Sequence, residues 1–365
     1  MATRQIKVLH VDAEMSWRGG QQQAVYLYEG LRQRGWQTGF VCRPGSALQK
    51  YFRDHRQPQV SLAFRGEWDL AAAWRLASLA RREDYSVLVL HSAHALSWGL
   101  LARLFYPSLK LVAVRRVDFS VGGNCLSRWK YRTKALKRIV AISENVRRVL
   151  VSDGIPLSKI ALIRSGIDLR KFADLAEDKD FRKSWNIPEN AILAGTVAAF
   201  SGHKDYPNFI RAAALAAKQE PRLYFMAVGE GILFDRMKRM AAESGLGGGM
   251  IFAGQQSEVG GFLWAFDIFV LASRKEGLGT SVLDAMALGL PVAATRAGGI
   301  PEMISDQQDG LLVPPQDPEA LSAAILTLAR DPALRQELGE RAKLKAARFD
   351  KELMIDSYID LLRAL

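Results

Sequence analysis

Leu271-Ala272-Ser273-Arg274-Lys275-Glu276-Gly277-Leu278-Gly279-Thr280-Ser281-Val282-Leu283-Asp284-Ala285-Met286-Ala287-Leu288-Gly289-Leu290-Pro291-Val292-Ala293 passes from an apolar strand end through a loop into a helical stretch and on to a second strand. The preceding run, Ile268–Leu271, is apolar throughout, as a strand buried on both faces must be. The loop carries one carboxylate and two glycines, and helical spacing starts near Thr280. Backbone N–H groups from Gly277 to Thr280 would converge on an anion at the helix end, where the helix dipole is positive. Glu276 lies on the loop and Asp284 about one turn into the helix, so each carboxylate is placed to hold a pair of hydroxyls. After the next strand, Ala297-Gly298-Gly299-Ile300-Pro301-Glu302 supplies another glycine turn at the same sheet edge.

The same alternation extends in both directions. Ahead of this stretch, apolar runs at Ile192–Val197, Leu223–Val228 and Met250–Ala253 alternate with helical stretches at Tyr206–Lys218 and Leu233–Ser244. Behind it come Gly310–Val313 and a helix from Pro318. The first half repeats the scheme, with strand-like runs at Ile6–Val11, Thr38–Val41, Gln59–Leu62, Val87–Leu90, Leu111–Val114, Arg138–Ile142 and Ile160–Ile163. Gly20–Arg34, Trp68–Arg82, Ala95–Phe105 and Glu144–Val151 read as its helices. Alternating strand and helix implies parallel sheets wrapped by helices. The expected fold is α/β: two Rossmann-like, doubly wound domains facing a cleft, with ligands at the carboxyl ends of the strands. The boundaries read as 1–168 for the first domain, 169–348 for the second, and 349–365 for a last helix packing back on the first.

The 365 residues are enough for two cores of ordinary size. At 49% hydrophobic the chain is neither disordered nor fibrous. Two cysteines, Cys42 and Cys125, cannot staple a fold of this size, and together with the opening residues they point to a reducing cytoplasm. No apolar run approaches the roughly 20 residues of a membrane span.

Charge is placed unevenly. Residues 1–170 carry 28 Lys and Arg against 12 Asp and Glu, whereas 171–365 carry 22 against 26. That asymmetry suggests that the first domain faces a polyanion. Its densest patch, Arg128–Arg138, interleaves six basic residues with Trp129 and Tyr131, a composition suited to an anionic membrane surface. A surface helix with a solvated basic face and its Trp turned inward is the plainer alternative.

The glycine loops exclude a nicotinamide-binding domain. Neither Asp12–Gly20 nor Gly229-Glu230-Gly231 has the G-x-G-x-x-G spacing, and no Walker lysine motif occurs. No His/Cys cluster suggests a metal. Non-catalytic nucleotide or polyanion binding, and sugar-nucleotide epimerisation, remain as alternatives to transfer.

The Glu276–Asp284 segment resembles the Glu-x7-Glu region of retaining nucleotide-sugar glycosyltransferases of family 4, which have the two-domain GT-B fold. The resemblance covers nearly the whole chain and is strongest from Ala191 to Pro315. It implies that Glu276 contacts the donor sugar and that Asp284, where the family usually has Glu, meets the ribose. It implies donor contacts from Gly19, Gly20, Gly229, Gly231, Gln255, Gly277, Leu278, Gly279 and Thr280, and a phosphate clamp at Lys204. The family's partner Arg is replaced by Ala199, so either Arg274, Arg115 or Arg116 supplies the second cation or the donor is held with one. Arg116 stands near where many relatives have an acceptor-side His, and His94 is a further candidate contact. The implied activity is metal-independent, retaining transfer from a nucleotide sugar, UDP favoured, with no other cofactor. The implied acceptor is a glycolipid or phosphorylated saccharide of the lipopolysaccharide or cell envelope. The enzyme would work in the cytoplasm, peripherally on the inner membrane, with no nucleic-acid partner.

Overall fold

The computed structural model describes residues 6–121, 125–172 and 180–365. The chain divides into two compact units, Met1–Gly166 with Lys351–Leu365, and Ile167–Asp350. In the first, the described residues run β1 (Val8–Val11), α1 (Gly19–Gln33), β2 (Thr38–Cys42), α2 (Ala47–Asp54), β3 (Val60–Ser61), α3 (Leu70–Arg82), β4 (Val87–Leu90), α4 (Ala93–Phe105), β5 (Lys110–Arg115), α5 (Cys125–Arg132), β6 (Leu136–Ala141), α6 (Glu144–Ser152) and β7 (Ile160–Leu162). These strands form one sheet in the order β3-β2-β1-β4-β5-β6-β7, with every pair parallel.

The second unit runs α7 (Phe181–Ser184), β8 (Ile192–Val197), α8 (Tyr206–Ala217), β9 (Leu223–Val228), α9 (Phe234–Glu243), β10 (Met250–Gly254), α10 (Gly260–Ala265), β11 (Ile268–Leu271), α11 (Thr280–Ala287), β12 (Val292–Thr295), α12 (Ile300–Met303), β13 (Leu311–Val313), α13 (Pro318–Arg330) and α14 (Pro332–Ala346). Its order is β10-β9-β8-β11-β12-β13, again parallel throughout. Both sheets therefore reverse their winding beside their first strand, between β1 and β4 and between β8 and β11. Crevices open at such switch points in doubly wound sheets.

The strands form because their residues suit a sheet covered on both faces. Every residue of β1, β4 and β11 is buried. The helices start where a short polar side chain caps them. Ser46, Asp69, Ser92, Ser143, Asp317 and Asp331 each accept an amide of the first turn. Pro318 and Pro332 follow two of these caps at the first helical position, where the missing N–H is not needed.

The last helix, α15 (Lys351–Arg363), belongs to the first unit, where it lies along α1. Arg34 pairs with Glu352 at 2.7 Å and Asp356 at 3.1 Å. Gly30 lies so close to Ile355 that a Cβ there would come within 2.3 Å of its Cδ1.

Three features differ from the expectations. Helices α2 and α14 were not legible. The apolar side of α14 is mostly alanine and glycine, and Gly339 packs backbone against backbone at Gly289. The Arg128–Arg138 patch is not one helix: α5 ends at Arg132, and β6 starts at Leu136. Nor does that patch face one way. Trp129 is 54% exposed, against the inward Trp of the plainer alternative. Lys130 is buried and donates to Glu67 and Ser97, both at 3.1 Å, and Tyr131 is also buried. Cys42 is buried and free, and burial pushes its thiol up to about 11. The side chain of Cys125 lies outside the described residues.

Candidate active site

In the second unit the switch point gathers three loops. The loop after β8 carries Lys204, the loop after β11 carries Glu276, and the turn after β12 carries Gly298. Lys204 Nζ pairs directly with Glu276 Oε2, and the two side chains are only 14% and 12% exposed. Ser273 Oγ also donates to that carboxylate oxygen at 3.2 Å. Ser273 is held in turn by Thr295, whose hydroxyl donates to its carbonyl at 2.6 Å. The Arg274 amide donates to His203 O at 2.8 Å, which ties the β8 and β11 loops together.

Gly298 fixes the height of the Glu276 loop. It sits at φ +54°, and an added Cβ would fall 1.7 Å from Glu276 O. That carbonyl accepts the Gly299 amide at 3.1 Å. No side chain fits between the two turns.

Above the pair, α11 begins without a side-chain cap. The amides of Gly277, Leu278, Gly279 and Thr280 meet no acceptor among the described residues. Four unanswered donors at the positive end of a helix, beside a cation, form an anion-binding arrangement. Asp284 lies one turn further in. Burial raises its carboxyl to about 6, against a lowering from Lys171. A carboxylate held above its ordinary value by desolvation marks a functional candidate.

One strand away, Gly229 and Gly231 let two loops cross at contact distance. A Cβ on Gly229 would meet Ala198 O at 2.2 Å, and one on Gly231 would meet Phe200 O at 2.5 Å. Gln255 is exposed at the end of the outer strand β10, beside this turn, since the Gly229 amide donates to Gly254 O. Ile232, at 93% exposure, was not singled out from the sequence; an apolar side chain on a glycine loop gives no signal until its exposure is known.

The first unit brings other candidates to its own switch point. Gly19 and Gly20 open α1, and Arg116, just past β5, lies over Gly20 with its Cδ 3.0 Å from where a Cβ would stand. Arg115 is engaged elsewhere, by Tyr131 and the Phe119 carbonyl. His94 is exposed and lies 3.5 Å from Glu67. In the second unit, Arg274 folds onto its own surroundings, donating to Gly202 O at 2.9 Å with its Nε 4.0 Å from Asp205. Among the described residues no group of three or more His, Cys, Asp or Glu is placed to hold a metal ion. None of their helices is long and apolar enough to cross a membrane.

The sheet order, the paired units and the loops at both switch points are those of the GT-B fold. Residues 17–171 match the family described as Glycosyltransferase Family 4, and residues 177–345 match that described as Glycosyl transferases group 1. Each match covers less than half of the chain; together they span most of it, and both families are glycosyltransferases.

Among particular relatives, the lipopolysaccharide core biosynthesis glycosyltransferase LpsE of Rhizobium meliloti is 32% identical over 182 residues, half of this chain and 52% of that one. LpsD of the same organism is 32% identical over 49% of this chain and 52% of its own. These matches thus span about half the length of both proteins. N-acetyl-alpha-D-glucosaminyl L-malate synthase of Bacillus anthracis is 26% identical over 84% of this chain and 82% of its own. Among solved structures, Anabaena Alr3699/HepE in complex with UDP-glucose superposes with a TM-score of 0.89 at 18% identity, over 99% of this chain and all of that one. A glycosyltransferase of Rickettsia africae superposes at 0.87 and 19% identity, over 99% of each chain.

Proposed function

We propose that this chain transfers a sugar from a nucleotide diphosphate donor, UDP-linked, to an acceptor hydroxyl with retention at the anomeric carbon. The observation that carries the reading is the Lys204–Glu276 pair beside four amides that lack acceptors. When the C1–O bond to the phosphate breaks, the electron pair leaves with the diphosphate. Lys204 and the Gly277–Thr280 amides meet that growing charge without rearranging, which is how preorganised donors lower a barrier. Glu276 takes the donor sugar's hydroxyls, and Asp284 takes the ribose. The acceptor oxygen bonds to C1 on the face the phosphate leaves, and its proton passes to the departing phosphate oxygen. No step requires a metal.

The acceptor is proposed to be a phosphorylated glycolipid of the cell envelope, consistent with the LpsE and LpsD relatives and with the basic first half. Exposed Arg132, Lys134 and Lys137 around Trp129 would meet the anionic leaflet; Lys130, buried against Glu67, would not. Salt-sensitive binding to vesicles of anionic lipid is expected, and its absence would remove the membrane part of the proposal.

The test of the donor is thermal stabilisation by UDP, GDP, ADP and CMP with EDTA present. A nucleotide at 100 times its dissociation constant adds about 2.7 kcal/mol of stability. Stabilisation by UDP above the others, followed by transfer from a UDP-sugar with a retained anomer, is the expected result. No stabilisation by any of them would leave a polyanion binder, and donor conversion without an acceptor would point to an epimerase.

Asp284 makes the site pH-sensitive in a stated direction. Its raised value means that the proton is held until about pH 6, and only the carboxylate accepts both ribose hydroxyls. UDP affinity should therefore fall as pH drops through 6, and Asp284→Asn should bind more weakly at pH 8 with that acid limb gone. Calorimetric titration between pH 5 and 8 checks it. The folded chain favours protonated Asp284, so the unliganded Asn variant is also expected to gain stability at pH 8 and none near pH 4.

A further inference from the structure

We propose that the outer face of α3 and the residues leading into it form an aromatic ridge that inserts into the headgroup layer of an anionic bilayer. The ridge deepens the membrane part of the function proposed above and rests on it. Trp68, Leu70 and Trp74 are each more than half exposed. Leu70 and Trp74 stand one turn apart on one face of α3, and Trp68 lies just ahead of them. The other side of the helix carries Ala72, Ala73, Leu76, Ala77 and Ala80, all buried in the unit. The first half of α3 is thus apolar all round, although only one side has protein to cover it. Two half-exposed indoles and a leucine leave a patch of roughly a few hundred Å², the size that marks an interaction site rather than scattered surface residues.

The charge around the ridge selects its partner. Helix α3 carries Arg75, Arg81 and Arg82 and no acidic residue. Arg65 and Arg75, on either side of the ridge in the chain, are exposed. The two neighbouring carboxylates are withdrawn. Asp69 turns back to cap α3, accepting the Arg65 amide at 3.0 Å and the Ala72 amide at 2.9 Å. Glu67 is bridged by Lys130 at 3.1 Å. That bridge ties α5 to the approach of α3, so Trp68 and the exposed Trp129, each next to one of its members in the chain, flank it. Indoles and leucine bordered by guanidiniums match an anionic interface, where rings settle at headgroup depth and arginines reach the phosphates.

The place of the ridge gives the contact a use. In a parallel sheet wrapped by helices, each crossover helix starts at the carboxyl edge of the strands. The start of α3 therefore shares that edge with the loops after β1 and β4, where ligands of this architecture bind. A bilayer held there presents a lipid-linked acceptor along the edge of the first unit instead of from free solution. The ridge also differs in kind from the basic patch. Contact by Arg132, Lys134 and Lys137 is screened by salt, whereas burial of Trp68, Leu70 and Trp74 is not. Trp264, exposed on α10 of the second unit, is the internal control, since the six residues of that helix carry no charge.

The test uses vesicles of phosphatidylglycerol and phosphatidylcholine, with and without bromine on the acyl chains, at low and at high salt. Tryptophan emission is expected to shift to the blue and to be quenched by the brominated chains, and part of the binding should survive high salt. Leu70→Ser and Trp74→Ser should each lower partitioning about tenfold, the worth of one large apolar side chain taken out of water. Trp68→Ser with Trp74→Ser should lose most of the quenching, and Trp264→Ser none of it. All four positions are on the surface, so the variants should unfold near the wild type. Lys134→Gln with Lys137→Gln should remove only the salt-sensitive share. Binding that high salt abolishes, with no quenching, overturns the ridge and leaves the basic patch standing. Quenched binding that neither salt nor the lysine variant changes keeps the ridge and removes the patch. No binding to any vesicle overturns both. Quenching unchanged in Trp68→Ser with Trp74→Ser overturns the ridge. So does a protein that leaves vesicles alone and passes from dimer to monomer in Trp74→Ser, since the ridge would then join two copies of this chain.

Discussion

Lys204→Ala is expected to lower transfer by about two to three orders of magnitude, the cost of removing one preorganised donor from a developing oxyanion. It should also weaken UDP binding, because in the proposed site the same ammonium would face the diphosphate before and during the reaction. A second consequence follows from the pair itself. With both side chains 12–14% exposed, removing the lysine leaves the Glu276 carboxylate largely out of water without its cation, and Ser273 alone to answer it. Breaking a buried pair from one side costs about 3–5 kcal/mol, and for this partly exposed pair the lower end applies. Glu276→Gln strands the opposite charge and should cost less, since an ammonium on a flexible stem can turn toward solvent. Its kinetic signature should differ as well: transfer should fall sharply while UDP affinity stays within a few-fold, because the proposed role of Glu276 is on the sugar rather than the diphosphate. The measurement is a thermal and kinetic double-mutant cycle with Lys204→Met, Glu276→Gln and both together. The double variant should be more stable than the two single losses add up to. Additive losses would mean that the pair is no pair in solution.

How much of this was visible in the chain depends on which kind of proximity is asked about. Lys204 and Glu276 are 72 residues apart, yet both directly follow strands read from their apolar runs. Two adjacent parallel strands put such loops at one edge, so their meeting follows from topology. Asp284 was legible through the four-residue spacing from Thr280 on a helix. Arg116 was legible only as one of three basic residues, because nothing in Arg115-Arg116 says which guanidinium turns toward α1. That depends on β5 ending at Arg115, with Tyr131 on one side and Gly20 on the other. Lys130 shows the opposite failure. Composition counts it in a basic patch, whereas Glu67, far off in sequence, draws it inward. Glu67 shows nothing in the chain but a lone acid between Gly66 and Trp68. Helix α14 was missed because small residues bury it, and alanine and glycine carry little periodic signal.

Gly298→Ala is the substitution with the largest expected effect on the second unit. Two costs combine at this position. The backbone lies at φ +54°, where a side chain is strained by about 1–3 kcal/mol. The new Cβ would also fall 1.7 Å from Glu276 O, and neither a carbonyl nor its peptide can give way as a flexible side chain does. The β12 turn must move off the Glu276 loop, breaking the Gly299 amide bond to that carbonyl. Glu276 and the Gly277–Thr280 amides then lose the support that sets their height above β11. Overpacking of this kind adds about 1–3 kcal/mol of its own. A loss of about 3–5 kcal/mol follows, comparable to the whole stability of a marginal domain. The comparison is Gly248→Ala, where an added Cβ meets nothing within 4 Å and where φ is ordinary; that variant should unfold near the wild type. Differential scanning calorimetry should show the loss in the transition of Ile167–Asp350, with the transition of the other unit unmoved. Because Gly298 reaches the site only through the backbone of Glu276, any Gly298→Ala protein that does fold should bind UDP and transfer sugar poorly even at temperatures well below its unfolding. A folded variant with full transfer would show that the Glu276 loop does not depend on the turn beneath it.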